Sequence, residues 1–257
     1  MYYKADIGVI GGSGLYELYP DVKKIDLDSK YGKPSDNISI VDADGVKVAF
    51  IPRHGHDHHL NPSEINYRAN IDALSQLGIK ALISPCCVGS LNPEFKPGDF
   101  VVTDQFINMT SGRRDTFFEN PNVTHLSSAD PYSEGLRKIA LEEAEKLGIT
   151  AHDGGTIAVI NGPRFSTRAE SKMLGILGSD VVNMTQYPEG YLCLEKGIPV
   201  VNIALITDYD AGLDGNPDIR PVTQEDVVRG LGENTEKIKK LIFAMVERIG
   251  ADYSEEA

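Results

Sequence analysis

Four of the chain's six histidines crowd into His54-Gly55-His56-Asp57-His58-His59, directly after Arg53. Side chains of this kind serve metal binding, proton transfer or anion recognition. One class of metal-dependent hydrolases carries His-x-His-x-Asp-His. Here Asp57 falls one residue early, and only His125 and His152 remain as further imidazoles. Imidazole suits zinc, but the spacing fails, which disfavours a zinc hydrolase. His56, His58 and His59 read better as a hydrated polar loop. Anion recognition is the stronger reading for Arg53 and His54. A guanidinium offers a planar fork matched to oxyanion oxygens, and His54 beside it is expected to donate one more hydrogen bond. Gly11-Gly12-Ser13-Gly14 follows the first apolar run and can add backbone N–H groups and the Ser13 hydroxyl. It lacks the G-x-G-x-x-G spacing of a dinucleotide fingerprint.

A second chemical feature closes the most apolar stretch, "PVVNIALITDYD". Asp208 and Asp210 alternate, so on an extended backbone they point the same way. Desolvation raises a carboxyl pKa, and a carboxyl held protonated can hand a proton to a leaving base. The same residues also read as a turn in which Asp side chains accept backbone N–H bonds. An anion grip and a carboxylic acid at neighbouring strand ends suit displacement of a base by phosphate at a sugar carbon.

These groups must be held by an α/β scaffold. The 257 residues suffice for one sizeable core, and without an evident linker or repeat a single domain over 1–257 is expected. Strands are expected at "ADIGVIG", at "NISIVDA" and "VKVAFIP" as an antiparallel pair around the turn "DADG", at "ALIS", "DFVVTDQFI", "TIAVING" and "DVVNM", and in "PVVNIALITDYD". Helices are expected over 62–77, from Ser133 to the stop at Gly148, after the capping box Thr167/Glu170, around Pro188, and from 224 to 249 behind Thr223. Strands alternating with helices predict an α/β class with a mostly buried sheet, and ligands in such folds gather at the carboxyl ends of strands.

The net charge of −13 argues against a nucleic-acid partner or an acidic membrane surface. No run approaches membrane-spanning length. Three cysteines, Cys86, Cys87 and Cys193, make no disulfide framework, so reduced thiols and a cytoplasmic location are expected.

The segments "IGGSGLYEL", "RHGHDHHLNPSEINYRANIDAL", "GSLNPEFKPGDFVVTDQFI", "NGPRFSTRAES", "VVNMTQYPE" and "ALITDYDAG" resemble the purine nucleoside phosphorylase family, in the same order and across nearly the whole chain. The resemblance implies a single α/β domain with a central mixed sheet flanked by helices, a homotrimer or dimer of trimers, and no metal or organic cofactor, inorganic phosphate being a co-substrate. It implies that Ser13, Arg53, His54, Cys86 and Thr185 lie at phosphate. Met184 would lie on the ribose, Phe165 on the purine, and Cys87 in the substrate site. Asp208 would serve the leaving base, Asp210 would help recognise its amino group, and His125 would reach a neighbouring subunit's 5′ pocket. An acid rather than an amide at 208 favours 6-aminopurines, and Ser166 agrees with the pattern for 5′-methylthioadenosine. Cys86 stands where a serine or threonine is usual, and Cys87 where an alanine is. Gln224 stands where an apolar residue lines the 5′ pocket, while Val227 keeps the apolar pattern. The expected reaction is phosphorolysis of 5′-methylthioadenosine. The alternatives are a broader purine nucleoside phosphorylase, a methylthioinosine phosphorylase, and a protein that binds nucleosides without turnover.

Overall fold

The computed structural model describes residues 3–11, 22–213, 216 and 218–255. Among these, eleven strands form one mixed sheet in the order β2(Lys23–Ile25), β3(Ile38–Ala43), β4(Val46–Pro52), β1(Ile7–Gly11), β5(Ala81–Ser90), β10(Val181–Asn183), β9(Thr156–Val159), β7(Gln105–Asn108). A branch leaves β5 through β11(Val200–Asp208) to β6(Phe100–Val102) and β8(Ala151–Asp153). The mixed α/β class is therefore as expected.

Residue alternation sorts the apolar side chains into layers. On β11, Val201, Ile203 and Leu205 face α2(Glu134–Lys146) and α5(Gln224–Glu255), joining Leu136, Ala140, Ile238, Leu241 and Met245. Ala204 and Ile206 turn to the opposite side with Cys86, Val101 and Val181. Ile10, Ala49 and Ile51 meet α1(Tyr67–Gln76) and α4(Gln186–Glu195) through Ile71, Leu74 and Leu192. Sheet strands covered on both faces read as continuous apolar runs, which is why β11 is the most conspicuous strand in the sequence.

Several boundaries differ from expectation. The helix expected from 62 begins at Tyr67, because the Asn66 side chain accepts the Ala69 N–H and residues before it are spent on turns. "DFVVTDQFI" is two strands, β6 and β7, which pair with different partners. "ALIS" is only the start of β5, which runs on through Pro85, Cys86, Cys87 and Val88 to Ser90. β2 and β8 were not anticipated; each has three residues, too few for a periodic signal. The hairpin turn at Asp44-Gly45, both with positive φ, the Ser133 cap and the Thr167/Glu170 capping box lie where expected. The last helix starts at Gln224 as expected but extends past Ile249 to Glu255.

The course of β5 positions the site. A strand has two edges, and β11 takes one of them from Leu82 to Gly89. β1 and β10 share the other. β1 pairs only with Ala81 to Ile83, and β10 only with Gly89 and Ser90. Between them the edge of Ser84 to Val88 is left without a strand partner, and a cavity opens there.

Candidate active site

A cavity of about 670 Å³ sits over this open edge. It collects the carboxyl ends of several strands. Arg53 and His54 follow β4; Met184 and Thr185 follow β10; Asp208 ends β11; Cys86, Cys87 and Gly89 come from β5. Phe165 enters from the loop before α3(Arg168–Ile176), and Gln224 and Val227 from the first turn of α5. Ser166 is not on the cavity wall, and His125 lies in an exposed segment away from it. Ser13 lies outside the described residues.

At one end the basic group is Arg53, only 1% exposed. Its fork is not open to the cavity as the sequence suggested. Nε and Nη2 donate to the two carboxylate oxygens of Glu189, each at 2.8 Å. Nη2 also reaches the Ile10 carbonyl and Ser84 Oγ, and Nη1 donates to the Pro85 carbonyl at 3.1 Å. Burial alone would depress this guanidinium; the Glu189 carboxylate more than offsets that and holds it charged. Nη1 has two N–H groups, so one is left for a ligand. Burial pushes the His54 imidazole down to about 4, and the Arg53 charge acts in the same direction, so the ring is neutral. Its Nδ1 is 2.8 Å from the Leu60 carbonyl, so the ring's proton is already used; the extra donor expected of His54 is absent.

Thr185 opens α4 without giving its hydroxyl to a cap. Burial raises the Cys86 thiol to about 11 and the Cys87 thiol to about 12, so both are protonated. Asn202 Nδ2 donates to Cys86 Sγ at 3.2 Å, and Asn183 also acts on the thiol, whose S–H is a weak donor. All three cysteines are unbridged.

At the other end stand the two aspartates. Burial pushes the Asp208 carboxyl up to about 6, against hydrogen bonds from Thr207 Oγ1 at 2.7 Å and the Asp210 N–H at 2.8 Å. Asp210 is not on extended backbone as the alternation implied. Its φ of +46° puts it in a left-handed turn, a conformation a non-glycine residue rarely takes. Turn and acid pair are thus both present. Burial also raises the Asp210 carboxyl, and the Ser171 and Ser166 hydroxyls pull the other way. Asp210 Oδ2, on the cavity wall, is nonetheless buried without a hydrogen-bond partner among the described residues, as expected where a ligand completes the set. Gly89 permits this packing, since a Cβ there would stand 2.9 Å from Asp208 Oδ1 and 3.0 Å from Asp210 Cβ.

The rest of the histidine run divides. His58 packs on the His54 ring with centroids 4.4 Å apart, and His59 also borders the cavity. His56 pairs with Asp36 and Asp57 on the surface.

Sequence reasoning missed the layer beneath the anion end. Ser84 Oγ donates to Glu189 Oε1 and receives Gln186 Nε2 at 2.6 Å; all three side chains are buried. Arg113 donates to the Met184 and Asn161 carbonyls at 2.8 and 3.0 Å and pins the turn that carries Met184. An acid in a first helical turn is ordinarily explained by the helix dipole, so Glu189 gave no signal, and the partner of Arg53 is 136 residues away.

The model of the phosphorylase superfamily matches residues 6–247. An S-methyl-5′-thioadenosine phosphorylase of Thermofilum pendens is 48% identical over 248 residues, covering 96% of this chain and 93% of that protein. Among solved structures, a methylthioadenosine phosphorylase from an antarctic soil metagenomic library superposes with TM-score 0.90 at 38% identity, covering 97% of this chain and 88% of that one. The methylthioadenosine phosphorylase of Schistosoma mansoni in complex with adenine superposes with TM-score 0.90 at 34% identity, covering 96% and 93%.

Truncating Glu189 leaves a buried guanidinium unpaired. Urea unfolding of Glu189→Ala is expected to show a loss of about 3–5 kcal/mol. The double variant Arg53→Met/Glu189→Leu is expected to regain most of that stability. A single variant as stable as the parent would mean that water replaces the carboxylate.

Proposed function

The chain belongs to the phosphorylase superfamily, and we infer that it catalyses phosphorolysis of 5′-methylthioadenosine to adenine and 5-methylthioribose 1-phosphate. One observation carries this reading. A single cavity holds a buried carboxyl raised to about 6 at one end, and a guanidinium, a neutral imidazole and the Thr185 hydroxyl at the other. That is what displacement of a purine by an oxyanion requires.

In this reading phosphate rests on the remaining Arg53 N–H, Thr185 Oγ1, the Cys86 thiol, the open edge of β5 and Ser13. Met184 covers the sugar and Phe165 the base, beside Cys87. An oxygen of phosphate forms a bond to C1′ as the C1′–N9 bond breaks, its electron pair passing into the purine. The Asp208 proton goes to N7, so adenine leaves uncharged. Asp210 Oδ2, on the cavity wall and without a partner among the described residues, completes recognition at the amino edge, with Ser166 behind it. A base of the wrong pattern would leave this oxygen buried and unpaired, which is costly. The chemistry calls for no metal or organic cofactor. Gln224 is exposed at the cavity rim beside Val227, a polar residue where a 5′-hydroxyl would come. That favours some activity on adenosine as a second substrate.

The functional unit in this reading is a homotrimer or a dimer of trimers. Ile176 is 77% exposed at the end of α3, with Met173 one turn before it and Leu177 just after it, and Val123 and Leu126 are exposed around His125. Apolar side chains left out in this number suit burial against a second copy, with His125 delivered to the neighbour's 5′ pocket. No helix among the described residues is long and apolar enough to cross a membrane.

Adenine release should require phosphate and yield the sugar phosphate rather than free sugar. Asp208→Asn is expected to lower kcat/KM on 5′-methylthioadenosine about a hundredfold or more and to shift preference towards inosine-type substrates. An unchanged preference would overturn the account of base choice.

Only the protonated acid donates, so kcat/KM for the nucleoside should fall as pH rises through about 6, the value to which burial lifts Asp208. Asp208→Asn should lose this limb of the profile.

His125→Ala should raise the KM for 5′-methylthioadenosine about fivefold with little change in kcat, the pattern for loss of uniform binding. Sedimentation velocity should find the parent larger than one protomer; a monomer at full activity would exclude the shared pocket.

A further inference from the structure

We propose that His54 enters the anion site as a hydrogen-bond acceptor, so that the site selects an oxyanion still carrying a proton. The proposal rests on the phosphorolysis reading and specifies which form of the anion that site takes. A backbone carbonyl has no proton to give, so the 2.8 Å contact between His54 Nδ1 and the Leu60 oxygen fixes the proton on Nδ1. The loop closes the same pair a second time, because the Leu60 N–H donates to the His54 carbonyl at 3.1 Å. Two bonds between the same two residues hold the ring in one orientation. His58 lies against its face with centroids 4.4 Å apart. The turn that brings Leu60 back depends on Gly55, which has φ +74° and where a Cβ would fall 2.2 Å from His59 Cε1.

Burial and the neighbouring Arg53 keep the ring uncharged. Its second nitrogen, Nε2, therefore presents a lone pair and no proton. Nε2 has no hydrogen-bond partner among the described residues, and the side chain borders the cavity beside Arg53. Three of the other polar groups lining this end can donate to an anion, the last Arg53 N–H, Thr185 Oγ1 and the Cys86 thiol, while His58, His59, Asn61 and Asn183 also border the cavity. A set of donors with one enforced acceptor matches an oxyanion bearing an acidic hydroxyl. Inorganic phosphate near neutral pH keeps at least one proton; sulfate keeps none. Monofluorophosphate has the charge and shape of hydrogenphosphate without the proton. Holding the P–OH group on Nε2 also leaves unprotonated oxygens to face the sugar.

Calorimetry on the full-length protein near neutral pH, with phosphate, sulfate and monofluorophosphate, tests this. Phosphate should bind at least about tenfold tighter than either proton-free anion, the worth of one hydrogen bond to a charged ligand. The ratio should fall towards one in His54→Leu. Nitrogen-15 spectra of the parent with phosphate bound provide a readout that does not depend on the variant folding. Nε2 should keep the shift of an unprotonated ring nitrogen. Equal affinity for phosphate and monofluorophosphate, or a protonated Nε2 in the phosphate complex, would overturn the acceptor role. If adenine release is phosphate-dependent but monofluorophosphate competes equally well, only this role fails. If release does not depend on phosphate, the proposed function fails with it.

Discussion

The buried pair of Arg53 and Glu189 is the constraint around which the anion half of the cavity is built. Both side chains are 1% exposed. Taking two charges out of water is expensive, and the attraction between them offsets that cost only where the remaining donors and acceptors are also satisfied. Here they are: Ile10 and Pro85 supply carbonyls, Ser84 bridges the two groups, and Gln186 supports Ser84. These residues come from β1, β5 and α4 with the turn after β4, so one ion pair ties together the elements that border the cavity. The result is a cation that cannot wander and whose net field is partly cancelled. In the proposed reaction, anion recognition therefore relies on aimed donors rather than on bulk positive charge, consistent with a chain of net charge −13.

The sheet does the complementary work. Had β1 continued alongside β5 beyond Ile83, or β10 joined before Gly89, main-chain bonds would have closed the edge from Ser84 to Val88. The break gives backbone polar groups a place to face a ligand, and Pro85 within it supplies a carbonyl to Arg53 without an N–H of its own. On the other edge, β11 stays paired until a register shift between Ile206 and Asp208. That irregularity and the left-handed turn at Asp210 aim two carboxylates towards one region, which Gly89 leaves open. Strain and a missing side chain are thus placed where the acid must sit.

Much of this was legible in the sequence, for reasons that differ by residue. β11 declared itself because both of its faces are covered, and Thr167 with Glu170 because a capping box is a local pattern. Asp208 was found from its place at the end of an apolar strand. What stayed hidden was non-local. Nothing near Arg53 or Glu189 in sequence says that they meet, so Arg53 was credited with an open fork that it does not have. The proton on His54 is decided by Leu60, six residues on, in a loop that folds back. β5 was cut short after "ALIS" because Pro85 and Gly89 read as strand breakers, whereas the strand passes through both. His125 is exposed, and the role proposed for it, which needs a second copy, would leave no trace in one chain's packing.

The two ends of the cavity are coupled by charge. Asp208 owes its raised pKa first to burial, with the carboxylates of Asp210 and Asp226 adding to it. A nearby anion acts in the same direction, because like charge disfavours the ionised form of a carboxyl. In the proposed reaction, phosphate seated near Arg53 and His54 therefore does more than wait for C1′. Its charge raises the Asp208 pKa further and keeps the proton in place until the base begins to leave. As the C1′–N9 bond breaks, the developing negative charge on the purine reverses the balance, and the proton moves to N7. The neutralisation of Arg53 by Glu189 serves this coupling, since an unpaired guanidinium in the same low-dielectric space would screen the phosphate charge that Asp208 must feel.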